Sequence, residues 1–253
     1  MIDFSVEGHV ALITINRPEA RNAVNGAVAS GIEAAIDRLE GDDELWVGVL
    51  TGAGPAFCAG ADLKAISAGQ GAALSTARGG FGGFTSRERT KPVIAACEGP
   101  ALAGGTEIVL ACDMVVASTA ASFGLPEVKR SLVAGAGGLF RLPKALPPAI
   151  AMEAVLTGDP LTAERAAHFG LVNELAEPGQ AVAAAMRLAA RISVNAPLAV
   201  RASRSVVRAA LRGDEEAMWT ASAEATARVA VTEDFKEGPL AFIEKRPPVW
   251  KGR

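Results

Sequence analysis

The sequence predicts an α/β fold whose last third is helical. Three observations lead there. Short continuous apolar runs read as strands: "HVALITI" at residues 9–15, "LWVGVLT" at 45–51, "VIAAC" at 93–97 and "MVVA" at 114–117. Unbroken apolar character marks strands covered on both faces, as in parallel sheets. Helical patterns lie between the runs, so the connections are crossovers. Beyond Asn173 the pattern changes to three consecutive helical stretches.

Taken in order, the first helix is "GAVASGIEAAIDRLEGDD", with apolar residues at helical spacing and Gly41 as its stop. The strand at 45–51 runs into a glycine-bearing loop, "GAGPAFCAGADL". Residues 69–89, including "ARGGFGGFTSRER", show little periodicity and read as a mobile loop or a poorly formed helix beside a site. The strands at 93–97 and 114–117 bracket a helix that follows Gly104 and Gly105. The late helices are "QAVAAAMRLAARIS", "APLAVRASRSVVRAALRG" and "EEAMWTASAEATARVAV". Pro197 suits the first turn of the second, and Gly213 suits its stop. Arg201, Arg204, Arg208 and Arg212 fall near one face of that helix and read as a solvated or interface stripe.

The chain has 253 residues, half of them apolar, which suffices for a sizeable core with an appendage. A net charge of −3 argues against nucleic-acid binding through bulk charge. Cys58, Cys97 and Cys112 are odd in number and widely spaced, as in a reducing compartment. The N-terminus has no basic region followed by an apolar core, and no apolar run reaches the roughly 18 residues that span a bilayer. The expectation is a cytoplasmic protein with no membrane or nucleic-acid partner. His9 and His168 with these scattered cysteines give no metal cluster. His168 reads as a helix-end residue. The absence of tyrosine excludes mechanisms that need a tyrosine acid.

Two segments carry chemistry. Gly104 and Gly105 stand where a helix begins, so backbone N–H groups without helical partners could hold an oxygen that gains charge. The loop 52–63 lies at the carboxyl end of a strand, where α/β proteins bind ligands. It contains neither G-x-x-x-x-G-K-[ST] nor G-x-G-x-x-G. Taken alone, Glu107 could be a helix-start carboxylate and Glu127 a surface group paired with Lys129 or Arg130.

Six stretches in order resemble the crotonase family, the enoyl-CoA hydratases and isomerases: "ITINRPEARNAV", "AFCAGADL", "KPVIAACEGPALAGGTEIVLACDMVVA", "FGLPEVKRSLVAGAGGLFRLP", "LTGDPLTAERAAHFGLVN" and "FIEKRPPVWKGR". They span nearly the whole chain. Cys97 replaces the usual Val or Ile, and residues 69–89, which shape the acyl pocket in relatives, match poorly.

The resemblance implies a spiral of ββα units over residues 1–195, carrying the CoA-thioester site, and a helical oligomerisation region over 196–253. It implies a homotrimer or a dimer of trimers. It places an oxyanion hole at the backbone amides of Ala61 and Gly104, and puts Gly105 in a packing role. It assigns Glu107 to water activation and Glu127 to proton exchange at C2. Arg21, Asp62, Leu63 and Lys64 would line the CoA moiety with Ala61 and Gly104, while Phe242 and Lys245 would reach a neighbouring subunit's CoA. No cofactor is expected, because coenzyme A is part of the substrate. The leading activity is hydration of a trans-2-enoyl-CoA. An isomerase, a carnitinyl-CoA-type dehydratase and a catalytically silent acyl-CoA binder are the alternatives.

Overall fold

A computed structural model describes residues 1–211, 224, 227, 228 and 231–253, without the side chains at 238, 239, 242 and 243. The main sheet has six strands in the order β1 (Ile2–Glu7), β2 (Val10–Ile15), β3 (Val47–Gly52), β6 (Val93–Cys97), β8 (Met114–Ser118) and β11 (Glu174–Ala176). From β2 onward neighbours are parallel, with Val10 opposite Val47, Gly48 opposite Val93 and Ile94 opposite Met114. The one antiparallel partner is β1, an edge strand whose largely exposed residues gave no apolar run.

Helices cover both faces of the sheet. Helix α1 (Gly26–Gly41) begins at Asn25, whose side chain accepts from the Val28 amide, and Gly41 is its last residue. It buries Val28, Ile32, Ile36 and Leu39 on one side of the sheet. Helix α7 (Ala181–Ser193) puts Ala184, Ala185 and Ala189 on the other side, beside Trp46 and Val49. Alanines bring this helix close to the strands while still removing apolar surface from water, at about 25 cal/mol per Å². Helix α8 (Pro197–Ala210) follows, with Pro197 at its first turn. The third late helical pattern, Arg212 and Gly213 lie outside the described residues, apart from isolated positions. Among the described residues no helix is long and apolar enough to cross a membrane, and no group of three His, Cys, Asp or Glu side chains could hold a metal.

A second, three-stranded sheet stands beside the first: β10 (Leu161–Thr162), β9 (Ser122–Gly124) and β7 (Ala101–Leu102). It frames helix α3 (Gly104–Ala111), which is buried at every position. The Thr106 hydroxyl ties the two together. It lies 2.6 Å from the Ala101 carbonyl oxygen and accepts from the Gly124 amide at 3.0 Å.

Two expectations are refined. Residues 69–89 carry short regular elements. They form a 3-10 turn (Gly71–Leu74) and a hairpin of β4 (Ser75–Thr76) and β5 (Gly80–Phe81). Asp37 of α1 holds this segment through Arg78 at 2.6 Å and Arg87 at 2.5 Å. Two-residue strands are too short to show periodicity. Among the described residues, the arginine stripe of α8 is in part turned inward. The Arg204 side chain is 12% exposed and sits 3.0 Å from Asp113, with Arg208 at 3.9 Å from the same carboxylate.

Candidate active site

The two glycine-bearing segments meet. The loop after β3 is fixed by isolated parallel bridges, Val24 to Ala61 and Cys58 to Ala101. The first uses the Gly60 carbonyl, which accepts from Val24, and the Asp62 amide, which donates to the Val24 carbonyl. The Ala61 amide between them stays out of the ladder. Gly60 has φ +91°, and a Cβ there would stand 3.0 Å from the Gly104 nitrogen and 2.9 Å from the Leu102 carbonyl oxygen. The loop therefore comes against the start of α3 as closely as backbone allows.

On the α3 side the first helical bond runs from the Glu107 amide to the Ala103 carbonyl (3.2 Å), so the Gly104 amide precedes the helical ladder. Ala103 has φ +52° and ψ −126°. This is a strained conformation for a residue with a Cβ, and it costs on the order of 1–3 kcal/mol. It turns the chain sharply so that the Gly104 amide projects at the helix start. Sequence reasoning named Gly104 and missed Ala103. The available signal was the small residue ahead of the glycine pair, which limits the steric cost.

Glu107 is 3% exposed. One carboxylate oxygen accepts from the Ala136 amide at 2.7 Å and the Gly138 amide at 3.0 Å. Gly138 opens helix α4 (Gly138–Ala145), so the carboxylate also caps that helix N-terminus. Burial raises the Glu107 pKa, while the two amides and Arg141 oppose the rise. These backbone donors lie about thirty residues downstream and carry no side-chain signature. Glu127 stands in the first turn of a 3-10 helix (Pro126–Arg130). Its Oε2 is buried with no hydrogen-bond partner among the described residues. Burial raises its pKa, its own backbone amide and Arg130 oppose this, and the Glu107 charge adds to the rise. The structure thus brings Glu107 and Glu127 within electrostatic reach of each other.

The carboxylates differ in kind. Burial raises the pKa of both, but Glu107 has two amide donors from another segment against the rise, whereas one oxygen of Glu127 has no partner among the described residues. A base and an acid beside two preorganised amide donors can add water across a double bond conjugated to a carbonyl. In such a reaction a carboxylate base would take a proton from water as the water oxygen bonds to C3, an acid would give a proton to C2, and amide donors would hold the enolate oxygen in between.

The remaining predicted positions separate. Asp62 is committed locally: it caps helix α2 (Leu63–Ser67) through the Lys64 and Ala65 amides and pairs with Arg17 at 2.6 Å. The hydrogen bond from Arg17 holds its carboxyl below the usual range, against a weaker rise from burial. Asp62 thus has a structural role in addition to its predicted place along the CoA moiety. Leu63 is 56% exposed, and Lys64 is exposed beside it, directly after Ala61. The Arg21 side chain is exposed, and its carbonyl accepts from the Ala59 amide at 3.0 Å, which steadies the oxyanion loop. Lys245 is exposed after helix α9 (Glu233–Glu244), and among the described residues no hydrogen bond or ion pair joins it to either loop. The Phe242 side chain lies outside the described residues. Gly105 packs more tightly than expected: a Cβ there would press into the Cys58 carbonyl oxygen, whereas one at Gly104 would meet the ring of Phe81.

The enoyl-CoA hydratase/isomerase family profile matches residues 5–253. A carnitinyl-CoA dehydratase from Proteus mirabilis is 40% identical over 258 residues, covering all of this chain and 98% of the relative. The crystal structure of an enoyl-CoA hydratase from Mycobacterium tuberculosis superposes with a TM-score of 0.96 at 50% identity, covering 100% of this chain and 99% of that one. A carnitinyl-CoA dehydratase structure from Mycobacterium avium superposes with a TM-score of 0.79 at 46% identity, again over 100% and 99% of the two chains.

Proposed function

Because the chain belongs to the enoyl-CoA hydratase/isomerase family and has the crotonase fold, we propose that it catalyses reversible addition of water to a trans-2-enoyl-CoA thioester. The observation that carries the reading is the pair of carboxylates, buried Glu107 held by two amides and half-buried Glu127 with an unpartnered oxygen, together with the close approach of the Gly60–Ala61 loop to Gly104. Double-bond isomerisation can run on one carboxylate, at Glu127, and a silent binder needs neither. Retention of both favours water chemistry. CoA enters as part of the substrate, with Arg21, Leu63 and Lys64 on the face it would cross. A panel of enoyl-CoA thioesters differing in length and branching, with products identified by mass, is the test. A gain of water supports the reading, and migration of the double bond without water gain overturns it.

The relatives named as carnitinyl-CoA dehydratases favour one second reading, elimination of water from a 3-hydroxyacyl-CoA such as carnitinyl-CoA. The same groups perform it in reverse. Carnitinyl-CoA in the panel separates the two by substrate preference.

The working assembly in this reading is a trimer or a dimer of trimers. Leu132, Val133, Phe140, Met152 and Leu156 are all more than half exposed, more apolar surface than a monomer usually leaves in water. Sedimentation showing only monomer at micromolar concentration would overturn this part.

A further inference from the structure

A cavity of about 560 Å³ lies between the segment Thr85 to Thr90, the end of α3 and one face of α8. Arg87, Arg89, Arg141, Arg201, Arg204 and Arg208 all line it. Glu88 is the one carboxylate among its described lining residues. In a chain whose net charge is −3, this concentration of cations is local and built by the fold.

The arginines are fixed rather than loose. Arg89 is 9% exposed, lies over the Phe84 ring at 4.1 Å and donates to the Phe84, Arg87 and Ala111 carbonyls. Arg204 pairs with Asp113 and donates to the Arg89 carbonyl. Arg87 pairs with Asp37, which Arg78 shares. Arg201 differs: among the described residues it makes no hydrogen bond or ion pair, and its Nε is buried without a partner. Burial lowers the pKa of Arg89 to about 10, and the charges of Arg204 and Arg208 push it the same way. Burial lowers that of Arg201 as well, with the Glu40 and Asp43 charges opposing the fall. Like charges gathered in a partly dry cavity cost free energy that an anion would relieve.

We propose that this cavity binds a small oxyanion carrying two or more negative charges, with Arg201 as a principal contact. Guanidinium groups present planar donor pairs that match phosphate and carboxylate oxygens. The Ser86 and Ser205 hydroxyls also line the cavity and can supply neutral donors. Phosphate and carboxylate share this chemistry, and two probes distinguish them.

The test is isothermal titration of inorganic pyrophosphate, and separately of citrate, into the full-length protein at constant ionic strength with CoA in excess. Excess CoA keeps pyrophosphate from the thioester site. One probe should bind at one equivalent per chain. Arg201→Gln should weaken that binding roughly tenfold or more, as expected for loss of one charge-assisted contact, while its melting temperature and CoA affinity stay at parent values. Arg201→Lys should restore part of the affinity. Binding of pyrophosphate alone assigns a phosphate ligand, and binding of citrate alone a carboxylate one. Failure of both probes, or equal affinity in Arg201→Gln and the parent, overturns the proposal.

Discussion

Gly60 lies so close to Gly104 that a single added methyl group at Gly60 would stand 3.0 Å from the Gly104 amide nitrogen. The two glycine-bearing segments are thus set against each other mainly by backbone packing. Gly60→Ala combines that crowding with a φ of +91° that L side chains rarely adopt. Turnover of the best enoyl-CoA substrate should fall roughly 10²–10³-fold, the cost of misplacing one oxyanion donor. Steady-state kinetics on the purified, folded variant is the check; parent-like turnover would show that the hole tolerates the shift.

Gly105→Ala should lower the melting temperature more than Gly104→Ala. At Gly105 the new methyl group meets the Cys58 carbonyl, which is backbone and bridged to Ala101. At Gly104 it meets the half-buried Phe81 ring, which can turn aside. The family resemblance puts Gly105 in a packing role, and the contact with backbone makes that role a demanding one. Thermal melts of the two variants decide it.

Glu107→Gln and Glu127→Gln should each reduce hydration about 10²–10⁴-fold with acyl-CoA affinity retained. Both keep side-chain shape and remove the ability to carry a proton to or from the substrate. Crotonyl-CoA hydration and a binding titration measure the two effects separately. Near-parent rates in both variants would reject the mechanism.

Stability should respond to pH in a defined direction at Glu127. Burial raises its folded pKa above the ordinary 4.5, and the Glu107 charge raises it further. A raised acid contributes stability below its unfolded pKa and loses that contribution as pH rises through the folded value. Glu127→Gln never acquires the buried charge. Its melting temperature should therefore gain on the parent's as pH rises from about 4.5 to 8. A gap that narrows over that range would contradict the assignment of burial as the cause.

The parts of the fold legible in the sequence were those with a repeating physical signal. Strands β2, β3, β6 and β8 are covered on both faces, so their apolar runs are unbroken. Apolar spacing and Gly41 mark α1 by chain chemistry, while the Asn25 cap emerges only in the structure. The small sheet of two- and three-residue strands left no pattern to read. The α8 arginines have the same spacing whether they face water or Asp113, so only the fold shows which. At the site, Glu107, Glu127, Ala61 and Gly104 were named through family resemblance. The amides of Ala136 and Gly138 that hold Glu107 were not, because any residue offers an amide.

The isolated parallel bridges of Val24 to Ala61 and Cys58 to Ala101 tie the loop after β3 to the backbone on either side of it. The Val24 and Asp62 amides should then exchange their hydrogens only when these bridges open. The hairpin bearing Phe81 is different: it rests on α1 and is held there by the shared Asp37 carboxylate. The frame around Gly60 and Gly104 is held by backbone bridges and the hairpin by side-chain charge, so raised salt should loosen the hairpin first.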